Sequence, residues 1–319
     1  MAWLIAIFTG PNRKDATVVV TSKIDGSRQR QIGPMVLLKP SRLTAVLLIL
    51  LAGAGFSVIT ALIKLLSANL HPFQIAFLRT FLGMVWLMPL LARRPMSFSF
   101  LSDHFPLHLL RAVSGILAMG CGFYALSILP LALVTTLGFT TPLWMIGLAW
   151  FFLGERPNWP TRLATISGFA GILIINPLMA DSWSWEGTTA LCSPFFEAVV
   201  LISIKRLTTT EPILNIIATY GVLASLFWLP VAVWVWQPLS GHDLLLMAFV
   251  AGIATLGQAA TINAYAMAPA TVVSPFHYVR LVFVVMIGFL FFQEIPTWTT
   301  LLGATIIVGG NLLIVKSKG

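Results

Sequence analysis

Five charged side chains stand inside long apolar runs of this chain: Lys64, Arg79, Arg111, Glu197 and Arg280. A charge at the centre of a hydrocarbon layer costs about 2.5–3.5 kcal/mol on insertion scales, so each of the five needs a compensating role. Lys64 and Arg111 lie near the ends of their runs, and their charged heads are expected to extend to a polar interface. Arg79, Glu197 and Arg280 lie deeper, about eight to eleven residues in, which at about 1.5 Å per residue places them near mid-depth. Glu197, the only acid of the set, is open to two roles. It can neutralise Arg79 or Arg280 in a fixed ion pair, or it can bind a solute or a proton.

Polar residues in four of the runs extend this pattern. Ser274, His277, Tyr278 and Leu281 recur at i, i+3, i+4 and i+7, one stripe of an α-helix, with Arg280 about 60° from His277. Pro275 weakens the helix there, and unpaired backbone at such depth is tolerated only where it faces protein or a cavity. His277 titrates near neutral pH and can take a proton or face a substrate carboxylate, or it can serve as a plain helix–helix hydrogen bond. Thr135, Thr136, Thr140, Thr141 and Pro142, followed by Trp144, interrupt a second run; Gln258, Thr261 and Tyr265 share one face of a third, and Ser57 and Thr60 one face of a fourth. The expected solute-binding set is therefore Ser57, Thr60, Thr140, Trp144, Glu197, Gln258, Tyr265, Ser274, His277, Tyr278 and Arg280, with Glu197 and His277 as candidates for proton coupling. The chemistry is recognition: no nucleophile with its base, phosphate-binding loop or metal-ligand set emerges, so no catalytic residue, metal or cofactor is expected.

The elements that carry these residues must be membrane spans. At 319 residues, with 58% hydrophobic and 9% charged side chains, the chain lacks the polar surface to coat a soluble globule of its size. Breaks at Pro, Gly and charged residues divide it into ten spans of about 20 residues, near 44–68, 72–92, 106–128, 131–153, 161–178, 186–206, 212–236, 244–266, 271–292 and 298–315. Ala2–Phe8 are apolar but too short to span, a polar, basic stretch follows to Lys39, and 1–43 is expected to be a mobile cytoplasmic extension without a signal peptide. The net charge of +9 is topological rather than a nucleic-acid footprint, because seven of the nineteen basic residues precede the first span. Cys121 and Cys192 lie in apolar segments and are expected to pack rather than to pair. Trp183, Trp185, Trp234 and Trp236, at span ends, read as interfacial anchors.

The chain also repeats itself. An offset of 139 superposes Pro130 on Pro269, Phe152 on Phe291, Glu155 on Glu294, Pro157 on Pro296 and Gly171 on Gly310. With the basic N-terminus cytoplasmic, Arg93 and Arg94, Arg156 and Arg162, Lys205 and Arg206, and Lys316 and Lys318 fall inside, and the outer loops have no Lys or Arg. Five spans per copy is an odd number, so the copies must face opposite ways, which supplies inward-open and outward-open versions of one architecture. Gly115, Ala118 and Gly122 share a helix face suited to close packing. Glu155 and Glu294, beside prolines at span ends, suit loop pairing or capping better than catalysis.

Two halves, each with a span closing on Leu-Gly-Glu-Arg-Pro (153–157) or Phe-Gln-Glu-Ile-Pro (292–296), resemble the EamA branch of the drug/metabolite transporter superfamily. Phe77-Leu78-Arg79, Phe123-Tyr124-Ala125-Leu126, Gly303 and Gly309-Gly310 add to the resemblance, which covers roughly 44–315. Gln293, His277 and Arg280 depart from its usual pattern. The resemblance implies an all-α membrane protein of ten helices in two inverted five-helix repeats, 44–180 and 181–319, with a cavity between them and Arg79 in a structural contact. The expected function is secondary transport of a small organic metabolite by alternating access in a bacterial inner membrane, with both termini cytoplasmic and proton coupling open. Export of an amino-acid-like or other metabolite is weighed against import of an aromatic or vitamin-like solute, flipping of a lipid-linked substrate, and a non-transporting receptor or assembly subunit. The expected partners are a small-molecule solute and the lipid bilayer, not nucleic acid; the oligomeric state is left open.

Overall fold

The computed structural model describes residues 42–93, 104–129, 134, 137–175, 185–292 and 298–316, all of them helical or in turns and connections. The basic extension, the side chain of Lys64, and Thr135, Thr136, Trp183, the Trp185 side chain and Glu294 lie outside that set. We label the helices α1 (Arg42–Leu66), α2 (Pro72–Arg93), α3 (Phe105–Ile128), α4 (Thr141–Leu148, extended by a π-turn over Ala149–Leu153), α5 (Trp159–Ile175), α6 (Trp185–Leu207), α7 (Ile213–Trp234), α8 (Gly241–Met267), α9 and α10 (Trp298–Lys316). Helix α9 has three parts: an α-turn at Ala270–Val273, a 3-10 stretch at Ser274–Val279 and an α-helix at Arg280–Phe292.

Six of these stretches are long and apolar enough to cross a bilayer: α1, α2, α3, α7, α8 and Ala270–Ile287 of α9. Helices α4 and α10 have shorter apolar stretches, Thr141–Leu153 and Leu301–Gly310. Helix α5 has 17 residues, and the 23 residues of α6 include Glu197, Lys205 and Arg206. Large apolar side chains cover the outward faces, among them Leu51, Phe151, Leu226, Leu245 and Leu256, a surface that only lipid would cover. Trp234 is 90% exposed at the end of α7, and Trp236 follows it, as interfacial residues do.

The packing obeys an exchange rule. Helix α2 packs on α7 and α5 on α10, each on its own counterpart, while α1 packs on α8 as α3 packs on α6, and α1 on α9 as α6 on α4. Exchanging α1–α5 with α6–α10 leaves this set unchanged, as a pseudo-two-fold relation between two copies requires.

Helix ends are closed by specific groups. Gly154, at φ 65°, takes the left-handed conformation that ends the π-turn of α4, a place that suits a residue without Cβ. The next residue, Glu155, accepts from the backbone N–H of Thr271 at 3.1 Å and its hydroxyl at 3.4 Å, capping the first turn of α9 in the other half. Ser240 and Asp243 form a capping box at the start of α8. At its other end, Lys205 Nζ donates to the carbonyls of Tyr265 and Ala268, both at 2.7 Å, where the helix dipole favours a cation.

One close interhelix approach is Gly168 on α5 against Tyr278 on α9, where an added Cβ would run into the ring. Gly168→Ala should therefore lower stability by about 1–3 kcal/mol through overpacking. Most of that loss should be absent in a Tyr278→Ala background, a non-additivity that thermal unfolding of the purified single and double variants measures.

Candidate functional site

A cavity of about 310 Å³ lies between the halves, lined by α1, α2, α3, α4, α6, α7, α8 and α9. Its polar lining includes Arg79, Arg111, Glu197, Gln258, His277 and Arg280, and its apolar lining includes Phe56, Met119, Phe123 and Phe139. This is the balance expected of a small-molecule site: mostly apolar walls with a few convergent polar groups.

The 3-10 stretch of α9 explains which stripe residues face the cavity. In an α-helix His277 and Arg280 would stand about 60° apart, but about three residues per turn in a 3-10 helix brings positions i and i+3 into line. Both line the cavity. Ser274 and Tyr278 do not, and both are fully buried, with neither hydroxyl hydrogen-bonded. The change of helix type thus accounts for His277 and Arg280 lying together and for Tyr278 leaving the stripe, but not for Ser274, three residues before His277 and outside the lining.

Two hydrogen bonds cross between the halves at this level. Arg280 Nη2 donates to Thr60 Oγ1 at 2.5 Å and to the Phe56 carbonyl at 3.3 Å, joining α9 to α1. Thr141 Oγ1 shares its one hydrogen between the Gly138 carbonyl at 2.9 Å and Glu197 Oε2 at 3.1 Å, the second contact joining α4 to α6. Thr141 and Arg280 are separated by the 139-residue offset of the duplication, so the two bonds are repeat equivalents with different chemistry. Glu197 pairs with neither Arg79 nor Arg280 within 4 Å, so the fixed ion pair is not formed. Hydrogen bonds to two neutral oxygens hold Arg280, with no carboxylate within 4 Å.

The remaining candidates are distributed as follows. Thr60, Glu197, Gln258, His277 and Arg280 line the cavity; Ser57, Thr140, Trp144, Tyr265, Ser274 and Tyr278 do not. Ser57 Oγ donates to the Gly53 and Arg280 carbonyls at 2.8 and 3.3 Å, which fastens α1 to α9. Thr140 turns its hydroxyl to Leu137 O at 2.7 Å; its neighbour Thr141, about 100° round the helix, faces Glu197 instead. Trp144 is 44% exposed, edge-on to Phe195, on the outer side of α4. Tyr265 is fully buried behind His277, with its hydroxyl 3.1 Å from His277 Nε2. Arg79 lines the cavity with Nη1 3.1 Å from Met119 Sδ.

Arg111 corrects the sequence reading. Instead of reaching an interface it is 2% exposed, lines the cavity, and stacks its guanidinium 4.4 Å from the centre of the Tyr220 ring. The signal was present: Arg111, Gly115, Ala118 and Gly122 fall at i, i+4, i+7 and i+11, and all four line the cavity. Gly115 has to lack a side chain here, since a Cβ would sit 2.7 Å from Tyr220 Cε2. Tyr220 also lines the cavity and is a site residue that the sequence reading did not single out.

The EamA-like transporter family profile matches residues 43–176 and again 185–316, one match for each half. This chain belongs to that family. It is a multi-pass membrane protein whose function class is transport of small molecules. It is 29% identical to the S-adenosylmethionine uptake transporter of Rickettsia conorii, over 80% of this chain and 86% of that protein. It is also 29% identical to the pseudopaline exporter CntI of Pseudomonas aeruginosa, over 86% and 97% of the two chains. Identity to the riboflavin transporter of Vibrio cholerae is 28%, over 85% and 92%. One solved crystal structure superposes with a TM-score of 0.71 at 19% identity, covering 88% of this chain and all of the other, a likeness of fold alone.

The Tyr265–His277 hydrogen bond lets the support of the site be tested apart from its function. Tyr265→Phe should cost about 0.5–1.5 kcal/mol of stability, and the loss should shrink in a His277→Phe background, as a double-mutant cycle of unfolding midpoints would read.

Proposed function

We propose that this EamA-family protein moves a small organic metabolite across a bacterial inner membrane by alternating access. The solute would occupy the cavity between two five-helix halves of opposite orientation, ten spans in all, with both termini cytoplasmic. The observation that carries the reading is the pair of cross-half hydrogen bonds at repeat-equivalent positions, Arg280 to Thr60 and Thr141 to Glu197. Rocking of one half against the other would break one bond as the cavity opens to one side and the other as it opens to the opposite side, a role that a pseudo-two-fold arrangement supplies without further machinery.

The binding groups on this reading are Thr60, Gln258, His277 and Arg280, with Phe56 against the apolar part of the solute. Ser57, Thr140, Tyr265, Ser274 and Tyr278 support them from behind. Glu197 is the proton-coupling group: it lines the cavity with a neutral donor, Thr141, on one oxygen and no cation within pairing distance, so gaining or losing a proton changes its bond across the halves. No step of chemistry on the solute is assigned, and no cofactor is required. Relatives named for uptake and for export both align with most of this chain, so direction would follow from the gradient imposed and not from the fold.

Reconstitution into proteoliposomes tests this. Wild-type protein is expected to accumulate at least one member of a metabolite panel when a pH gradient is imposed, and to exchange the same solute without one. Glu197→Gln should lose gradient-driven accumulation down to the level of protein-free liposomes while retaining exchange. Absence of movement of any solute removes the carrier reading; full gradient-driven accumulation by Glu197→Gln removes the coupling role.

A further inference from the structure

We infer that the solute is an organic anion whose carboxylate is received by Arg111 and Arg79 beside Tyr220. The inference rests on the transport reading of the same cavity and deepens it to a substrate class. Three guanidinium groups line the cavity, those of Arg79, Arg111 and Arg280, against one carboxylate, Glu197. Arginine stays protonated in proteins, so the lining has two positive charges in excess even with Glu197 ionised, and three with it protonated.

Uncompensated cations at this depth are costly, and three ways to lower the cost are visible: pairing, solvation by neutral protein groups, or delivery of an anion by the solute. Arg280 takes the second, through Thr60 and the Phe56 carbonyl. Arg111 takes neither of the first two. Its Nε and Nη1 are buried with no hydrogen-bond partner among the described residues, and its one contact of note is the face of Tyr220. Arg79 is similar: Nε has no partner and Nη1 meets only the soft sulfur of Met119. Both arginines share a wall of the cavity with Tyr220.

Arg111 and Arg79 line the cavity, and a guanidinium presents a fork of N–H donors that matches the two oxygens of a carboxylate. The aromatic rings of Phe56, Phe123 and Phe139 in the lining fit an apolar or aromatic body on the same molecule. A neutral solute would leave the excess charge in place, and a cationic one would add to it.

Thermal unfolding of the full chain in lipid nanodiscs, at fixed pH and ionic strength, tests the assignment without requiring flux. The probes are matched pairs of equal shape: succinate against succinamide, and N-benzoylglutamate against its diamide. The acids are expected to raise the unfolding temperature and the amides to leave it unchanged, with the aromatic acid stronger than succinate. Arg111→Ala should weaken acid binding at least about tenfold, the loss of one charge-assisted hydrogen-bonded contact, and Arg111→Lys should fall between.

Arg111→Met separates this role from a structural one. Replacing an unpartnered buried cation with an apolar chain of similar length should preserve or raise the unfolding temperature of the ligand-free protein while abolishing the acid response. A lower unfolding temperature with the acid response intact assigns Arg111 to structure and overturns the proposal. So does wild-type protein that responds equally to acid and amide, or to neither. Repeating the series with phosphatidylcholine and with phosphatidylglycerol distinguishes the sources of the anion. Stabilisation that follows phosphatidylglycerol and ignores soluble acids overturns the assignment in favour of a lipid headgroup. Discrimination between acid and amide in nanodiscs without flux in proteoliposomes would refute the carrier and leave the anion site; flux of neutral solutes without acid preference would do the reverse.

Discussion

A guanidinium in the middle of a membrane protein has to be solvated by the protein itself, and the arrangement of this molecule follows from how that is done. Arg280 is solvated across the boundary between the halves, by a hydroxyl and a carbonyl of α1. Its side chain therefore supplies both a polar group in the cavity and a fastener between two bodies. The 3-10 stretch before it turns His277 and Arg280 to the same side and leaves Tyr278 to seat in the space of Gly168. The geometry of one helix thus sets the cavity lining and the packing behind it together.

Duplication supplies the frame and divergence supplies the chemistry. The helix pairing is symmetric under exchange of halves, down to α2 on α7 and α5 on α10. At the centre the equivalence persists in position but not in residue type: where one copy has Arg280 the other has Thr141, and each bonds to the first helix of the opposite half. A symmetric frame with unlike groups at its centre presents a solute with different chemistry on its two sides. The remaining charges are unlike too, with Arg79 and Arg111 both in the first half and Glu197 in the second.

Several site residues could be read from the sequence because burial of charge leaves little freedom. Arg79, Glu197 and Arg280 stand out by depth alone, and all three line the cavity, Arg79 among them although the family resemblance implies a structural contact for it. Arg111 was misread because distance from a helix end says nothing about direction around the helix; its face, shared with Gly115, Ala118 and Gly122, points inward. Helical periodicity places Tyr278 with His277, and nearness in sequence places Trp144 with Thr141; a change of helix type and about 100° per residue of rotation separate them. Of the two roles open to Glu197, the ion pair is not formed for a related reason: equal depth on three helices does not bring side chains within 4 Å.

The sequence by itself determined the solvent, the duplication and the helical segments, because hydrocarbon selects apolar runs of a fixed length and a repeat is visible without coordinates. Tertiary structure decided which face of each helix meets the cavity, which donor meets which acceptor, and which guanidinium N–H groups are left without a protein partner. Those depend on rotation about helix axes and on contacts between residues far apart in the chain, such as Thr60 with Arg280 and Thr141 with Glu197, and no local pattern of residue types contains them.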